Sequence, residues 1–194
     1  MNVNFQLLPE AIAAACLESK DLVLERVSEL FSACYNANAS DVLEGLEERE
    51  KLGSTGFGNG VAIPHARSLK VKRPVAVLLR LESPVDFAAA DGMPVELVFG
   101  LLSPEYAGAA HLHALAAISR LARDEHTREA LIEAPNTEAM YALLASHLER
   151  DAARGARRSR GRRHRRRLAL SRIGTPVRFR TDQRDIQLSA RDPR

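Results

Sequence analysis

The chain has 194 residues, 45% of them hydrophobic, and a formal net charge of +3, the size and make-up of one globular domain with a sizeable core. No apolar run reaches the roughly 18 residues of a membrane span. The start MNVNFQLLPE lacks the basic and apolar stretches of a signal peptide, so a cytoplasmic location without membrane insertion is expected.

The charge is unevenly placed. Residues 1–150 carry 13 Lys and Arg against 21 Asp and Glu, whereas residues 151–194 carry 15 Arg against 4 Asp. The body is therefore acidic and has no basic surface suited to nucleic acid. Two segments follow: a domain over 1–150 and an Arg-rich tail over 151–194.

In chain order, Cys16 and Cys34 have no neighbours at metal-ligand spacing and read as reduced, buried small hydrophobes. Val23, Val27, Leu30, Phe31 and Cys34 recur at helical spacing, with Ser19 able to cap the start. Val42, Leu43 and Leu46 predict a second helix that begins at Ser40, runs through Glu47-Glu48-Arg49-Glu50-Lys51 and stops at Gly53. A glycine-dense loop from Gly53 to Gly60 leads into the short apolar run Val61-Ala62-Ile63-Pro64 and then His65.

Val75–Leu81 and Val95–Leu102 are near-continuous apolar runs of strand length, as expected of strands covered on both faces, with Asp91-Gly92 marking a turn between them. Three helical segments follow at roughly 109–123, 125–133 and 137–150. Together these predict an α/β fold, a small mixed sheet flanked by helices. From Arg154 to Arg167 the chain is dense in Arg and nearly empty of large apolar residues, which predicts disorder in the tail, with at most a transient strand near Val177-Arg178-Phe179.

The chemistry concentrates between residues 49 and 65. Gly53, Gly56, Gly58 and Gly60 permit positive φ and close backbone approach, Ser54 and Thr55 add hydroxyls, and the N–H groups of such a loop can converge on an anion. A nucleotide-binding P-loop fits poorly, because Gly60 is followed by Val61 where Lys-Ser/Thr would open a helix. A dinucleotide fold fits poorly too, because here a helix precedes the glycines. His65 stands beside this loop. A neutral imidazole is a nucleophile at pH 7 without further activation, and phosphoryl transfer asks mainly for positioning and charge stabilisation. No carboxylate cluster suited to Mg²⁺ lies nearby, so neither a metal nor a cofactor is expected.

The stretch Arg49-Glu50-Lys51-Leu52-Gly53-Ser54-Thr55-Gly56-Phe57-Gly58-Asn59-Gly60-Val61-Ala62-Ile63-Pro64-His65 resembles the signature of the fructose/mannitol-type enzyme IIA of the phosphoenolpyruvate-dependent phosphotransferase system. The resemblance continues through Pro94–Phe99 and His111-Leu112-His113-Ala114-Leu115 and covers roughly residues 5–150. It is greatest to the nitrogen-regulatory branch, which shares the free-standing body and the His-Leu-His-x-Leu pattern. It implies a sandwich of mixed sheet and helices, phosphorylation of His65, charge stabilisation by Arg49 and a second histidine best matched by His111. It places Ser54, Thr55, Gly56, Gly58, Asn59 and Gly60 in a phosphoryl-binding loop. The chain departs from the pattern at Ala66, where many members have Gly.

Helix phase separates the two candidate histidines. At about 100° per residue, Leu112, Leu115, Ile118 and Leu121 point on average close to the direction of His111, while His113 points about 200° away. His126, His147 and His164 read as structural or solvated. The implied partners are an upstream histidine phosphocarrier protein and regulated target proteins such as transporters or kinases. One alternative is a sugar-specific enzyme IIA that passes the group to an enzyme IIB; a second is nucleic-acid binding by the basic tail. The tail also has the composition of out-of-frame translation of a GC-rich gene, being rich in Arg, Gly and Ala and free of Lys.

Overall fold

The structure, a computed structural model, describes residues 4–150. The expectations for 151–194, including disorder, the transient strand and nucleic-acid binding, lie outside the described residues. In chain order the elements are β1 (Gln6–Ala15), α1 (Lys20–Tyr35), α2 (Ala39–Lys51), β2 (Gly56–Gly58), β3 (Val61–Ala62), β4 (His65–Ser68), β5 (Val75–Val85), β6 (Val95–Pro104), α3 (Gly108–Arg123) and α4 (Glu125–Ile132). A further helix, α5, occupies 137–150.

The strands form one mixed sheet in the order β1-β5-β6-β3-β2, with β4 also pairing with β6. β5 and β6 are antiparallel, whereas β1 runs parallel to β5 and both β3 and β4 run parallel to β6. The continuous apolar runs of β5 and β6 follow from this central position. Val77, Leu79, Val98 and Leu102 face one core with Val27 and Phe31 of α1 and Leu46 of α2. Leu78, Leu97, Phe99 and Leu101 face a second core with Ile118 and Leu121 of α3 and Met140 and Leu144 of α5. Gly100 admits α1 to the sheet: a Cβ there would lie 2.6 Å from Val77 Cγ2 and 2.8 Å from Val27 Cγ1.

Local signals account for the helix ends. Ser19 caps α1, its Oγ accepting from the Leu22 amide, and Asn36 closes the helix at φ 55°. α2 starts one residue before the expected Ser40, because Asn38 supplies the cap by accepting from the amides of Ser40 and Asp41.

Two expectations are corrected, and one element is new. The segment Gln6–Ala15, which carries no clear strand signal in the sequence, is an edge strand. Pro9 and Glu10 fall where its pairing with β5 shifts register, between Leu7 and Ile12, a place where a missing N–H is tolerated. Cys16 is exposed just beyond that strand, and Cys34 is half-buried with its thiol donating to Glu10 O at 3.3 Å; neither is a core residue. The glycine-dense stretch is not one loop: residues 56–62 form a hairpin whose turn, Asn59-Gly60, has φ values of 52° and 73°. Positive φ at both turn positions matches the twist of the paired strands, which is why Asn-Gly suits the turn.

Candidate functional site

Arg49 sits in the last turn of α2 and His65 is the first residue of β4. The β2–β3 hairpin folds back between them, so residues sixteen apart in sequence come into contact. Arg49 Nε donates to His65 Nε2 at 3.0 Å, and Arg49 Nη1 donates to Gly53 O at 2.9 Å. On the other side of the ring, His65 Nδ1 lies 2.8 Å from Ile63 O. A carbonyl oxygen only accepts, so the ring proton is on Nδ1 and Nε2 carries the lone pair. Burial pushes the His65 pKa below its ordinary value; the Arg49 and Arg67 guanidiniums add to this against the opposing pull of Ile63 O and Glu50. The imidazole is therefore neutral at pH 7, with Nε2 as its nucleophilic atom.

His111, in the first turn of α3, is brought to the same place. Its ring centroid lies 5.5 Å from that of His65, with the planes at 52°. It is 7% exposed, whereas His113 is exposed. The side of α3 on which His111 lies is as expected, but the composition of that face is not. Leu112 is 64% exposed, and the buried face is built from Ala114, Ala117, Ile118, Leu121 and Ala122. Small residues let the helix lie close to the sheet, and a phase taken from the large aliphatic residues gives them no weight. Burial, followed by the charge of Arg67 and the presence of His65, pushes the His111 pKa down to about 4. His111 Nδ1 lies 2.9 Å from the hydroxyl of Ser103, a wholly buried residue of β6.

The glycine-rich segment is organised differently from the expected anion cradle. The Ser54 hydroxyl donates to Phe87 O and accepts from the Gly56 amide at 3.0 Å. The Thr55 amide donates to both carboxylate oxygens of Glu50, at 3.0 and 3.1 Å, and its carbonyl accepts from the Ile63 amide at 2.9 Å. The Asn59 amide donates to Asp91 Oδ2 at 2.7 Å, and Gly60 O accepts from the amides of Glu96 and Leu97. Gly58, at φ 95°, leaves room for the Asp91 carboxylate, which a Cβ would approach to 2.9 Å. The amides of Thr55, Gly56 and Asn59 are thus committed to protein acceptors. The segment acts as a brace that fixes Ile63, and through Ile63 O the ring of His65.

Four contributors carry no individual mark of their role in the linear pattern, although Glu50 and Ile63 lie within the Arg49–His65 stretch. Glu50 anchors the brace: its Oε1 lies 2.7 Å from Lys20 Nζ, and although burial alone would raise its pKa, Lys20 and the Thr55 amide hold it below the ordinary value. Arg67 lies two residues beyond His65, its Nη1 bonded to Glu105 O at 3.0 Å, and its charge reaches both histidines. The others are Ser103 and the Ile63 carbonyl. Only the hairpin had a local signal, the Asn59-Gly60 pair. Ala66, where the chain departs from the family signature, is buried in β4, and its Cβ faces the bare Cα of Gly45 in α2.

The remaining histidines lie elsewhere. His147 Nδ1 is 3.0 Å from Thr127 Oγ1, joining α5 to the start of α4, and His126 is exposed. Among the described residues, no group of three His, Cys, Asp or Glu is arranged to hold a metal ion, and no helix is long and apolar enough to cross a membrane.

Residues 8–147 match the family described as phosphoenolpyruvate-dependent sugar phosphotransferase system, EIIA 2. The chain is 42% identical over 146 residues to a nitrogen regulatory protein of Bradyrhizobium diazoefficiens, a match that covers 75% of this chain and 95% of that protein. Among solved structures it resembles the nitrogen regulatory protein IIA-Ntr of Neisseria meningitidis at 38% identity and a TM-score of 0.67, covering 71% of this chain and 95% of that one. It shares its fold with the IIA mannitol protein of Escherichia coli at 21% identity and a TM-score of 0.61, covering 72% and 99% of the two chains.

Proposed function

This chain belongs to the EIIA 2 family of the phosphoenolpyruvate-dependent sugar phosphotransferase system, and we propose that within that system it takes up a phosphoryl group on Nε2 of His65 from an upstream histidine phosphocarrier protein. The observation that carries the assignment is the pair of hydrogen bonds on His65: Nδ1–H to Ile63 O, and Nε2 accepting from Arg49. The first holds the ring in the tautomer whose lone pair is on Nε2. The second places a guanidinium where the transferred charge arrives.

The exchange balances without a proton. The phosphorus–nitrogen bond of the donor breaks as the bond to His65 Nε2 forms. Nδ1 keeps its hydrogen on Ile63 O, and the donor nitrogen recovers its lone pair. Arg49 gives up Nε2 and turns its N–H groups to the phosphoryl oxygens, a charge-assisted contact. His111 is the second group within reach.

A protein donor suits the surroundings. Leu52, Leu69, Tyr106 and Leu112, each within five residues in sequence of a site residue, are 85%, 75%, 91% and 64% exposed, which leaves apolar side chains free for a protein partner. The likeness to nitrogen regulatory proteins supports a regulatory role in the cytoplasm, in which target proteins such as transporters or kinases bind one phosphorylation state. The added negative charge at one point repels or recruits them.

Mass spectrometry after incubation with phosphoenolpyruvate and the upstream carriers tests the assignment. Wild type should gain about 80 Da, the mass of one phosphoryl group, and His65→Ala should gain nothing while keeping its circular dichroism spectrum. An adduct on the mutant would overturn it. A chase in which the label passes to an enzyme IIB, and not to a stable phosphorylated pool, would favour the sugar-transfer alternative.

A further inference from the structure

Resting on the phosphocarrier reading above, we propose that Ser103 is a positioning residue which, through its hydroxyl, holds His111 in the tautomer that presents an Nε2–H donor to the phosphoryl group on His65. Ser103 lies in β6 opposite Arg67 of β4, with no exposed surface. Its Oγ is 2.9 Å from His111 Nδ1, its sole hydrogen-bond partner among the described residues.

The direction of that bond follows from what each arrangement leaves behind. A hydroxyl has one hydrogen and lone pairs to spare, and a neutral imidazole has one donor and one acceptor nitrogen. Were Nδ1–H to donate to Ser103, the hydroxyl hydrogen would stay buried without an acceptor, and Nε2 would turn a lone pair toward an incoming anion. With the hydroxyl donating to Nδ1, the buried hydrogen is satisfied and the ring proton sits on Nε2. That nitrogen has no protein partner among the described residues and belongs to a ring 5.5 Å from that of His65.

The two histidines then have opposite tautomers on matched supports. Ile63 O holds a proton on Nδ1 of His65 and makes Nε2 a nucleophile. Ser103 keeps the proton off Nδ1 of His111 and makes Nε2 a donor. Burial keeps His111 uncharged at neutral pH, so a single proton decides whether this ring attracts or repels a phosphoryl oxygen.

The test combines a tautomer measurement with kinetics on the full chain. Two-bond proton–nitrogen spectra of histidine-labelled wild type at neutral pH should show His111 with Nδ1 bare and Nε2 protonated; a protonated Nδ1 overturns the proposal without any variant. In Ser103→Ala the His111 nitrogen signals should move, and phosphoryl transfer should slow about fivefold, the factor matching one net hydrogen bond of roughly 1 kcal/mol. Ser103→Thr, which keeps the hydroxyl, should restore both. Slower transfer with unmoved His111 nitrogens would show a merely structural role and overturn the proposal, as would moved nitrogens with unchanged transfer. A wild type that accepts no phosphoryl group fails differently: it removes the phosphocarrier reading and the role of Ser103 with it.

Discussion

Arg49 donates its Nε–H to the lone pair of His65 Nε2 at 3.0 Å, so a guanidinium stands on the unprotonated nitrogen of the ring. The contact disfavours protonation of the ring, and under the proposed function it stations positive charge where the phosphoryl group would arrive.

Arg49→Gln should therefore have two separable effects. Transfer to His65 should slow about 10- to 100-fold, the range for losing a charge-assisted hydrogen bond of roughly 1.5–3 kcal/mol. The His65 titration midpoint should rise, because Arg49 is one of the charges that depress it. An NMR titration reads the second effect without any partner protein. A midpoint that stays put or falls would remove Arg49 from the electrostatics of the site.

His111 makes stability depend on pH. In the folded chain its pKa is about 4, against an ordinary 6.5. On acidification the unfolded chain binds the proton first, so unfolding is coupled to proton uptake and stability falls as pH drops from about 6.5 to about 4. The full loss is on the order of 3 kcal/mol. The depressed pKa of His65 acts in the same direction. Urea unfolding across this range should show a shallower pH dependence in His111→Gln than in wild type; parallel curves would contradict the burial of a neutral ring.

Gly100→Ala and Gly108→Ala should differ in sign or size. At Gly100 the new methyl meets Val77, Val27 and Phe31 at 2.6, 2.8 and 3.1 Å, between the sheet and α1. Overpacking there should destabilise by about 1–3 kcal/mol. Gly108 opens α3 with nothing within 4 Å of a Cβ, so alanine should be neutral or stabilising by up to about 1 kcal/mol. Denaturation midpoints of the two variants settle the comparison.

Removal of residues 151–194 should leave phosphorylation intact and should not lower the melting temperature by more than about a degree or two. The matched family spans residues 8–147, which leaves the whole Arg-rich segment outside it. A truncated chain that fails to fold, or fails to accept the label, would make the Arg-rich segment part of the working unit.

The sequence by itself determined whatever has a short-range physical signature. The helical period of Val23, Val27 and Phe31 and the capping hydroxyl of Ser19 mark α1, the unbroken apolar runs mark β5 and β6 as central strands, and the stretch from Arg49 to His65 carries the family resemblance that the comparisons uphold. Only the tertiary structure decided the rest. β1 pairs as an edge strand despite Pro9 because edge pairing leaves one N–H side unused. Leu112 is exposed while alanines are buried because the distance between α3 and the sheet is set by packing, which hydrophobic periodicity does not encode. In the segment from 53 to 60 the Thr55 amide turns back onto Glu50, five residues earlier, but the Asn59 amide turns onto Asp91, 32 residues on in the β5–β6 connection, a neighbour that only the fold supplies. Ser103 shows the same limit: a serine in a strand has no local mark of function, and its hydroxyl reaches a histidine ring only because β6 and α3 pack face to face.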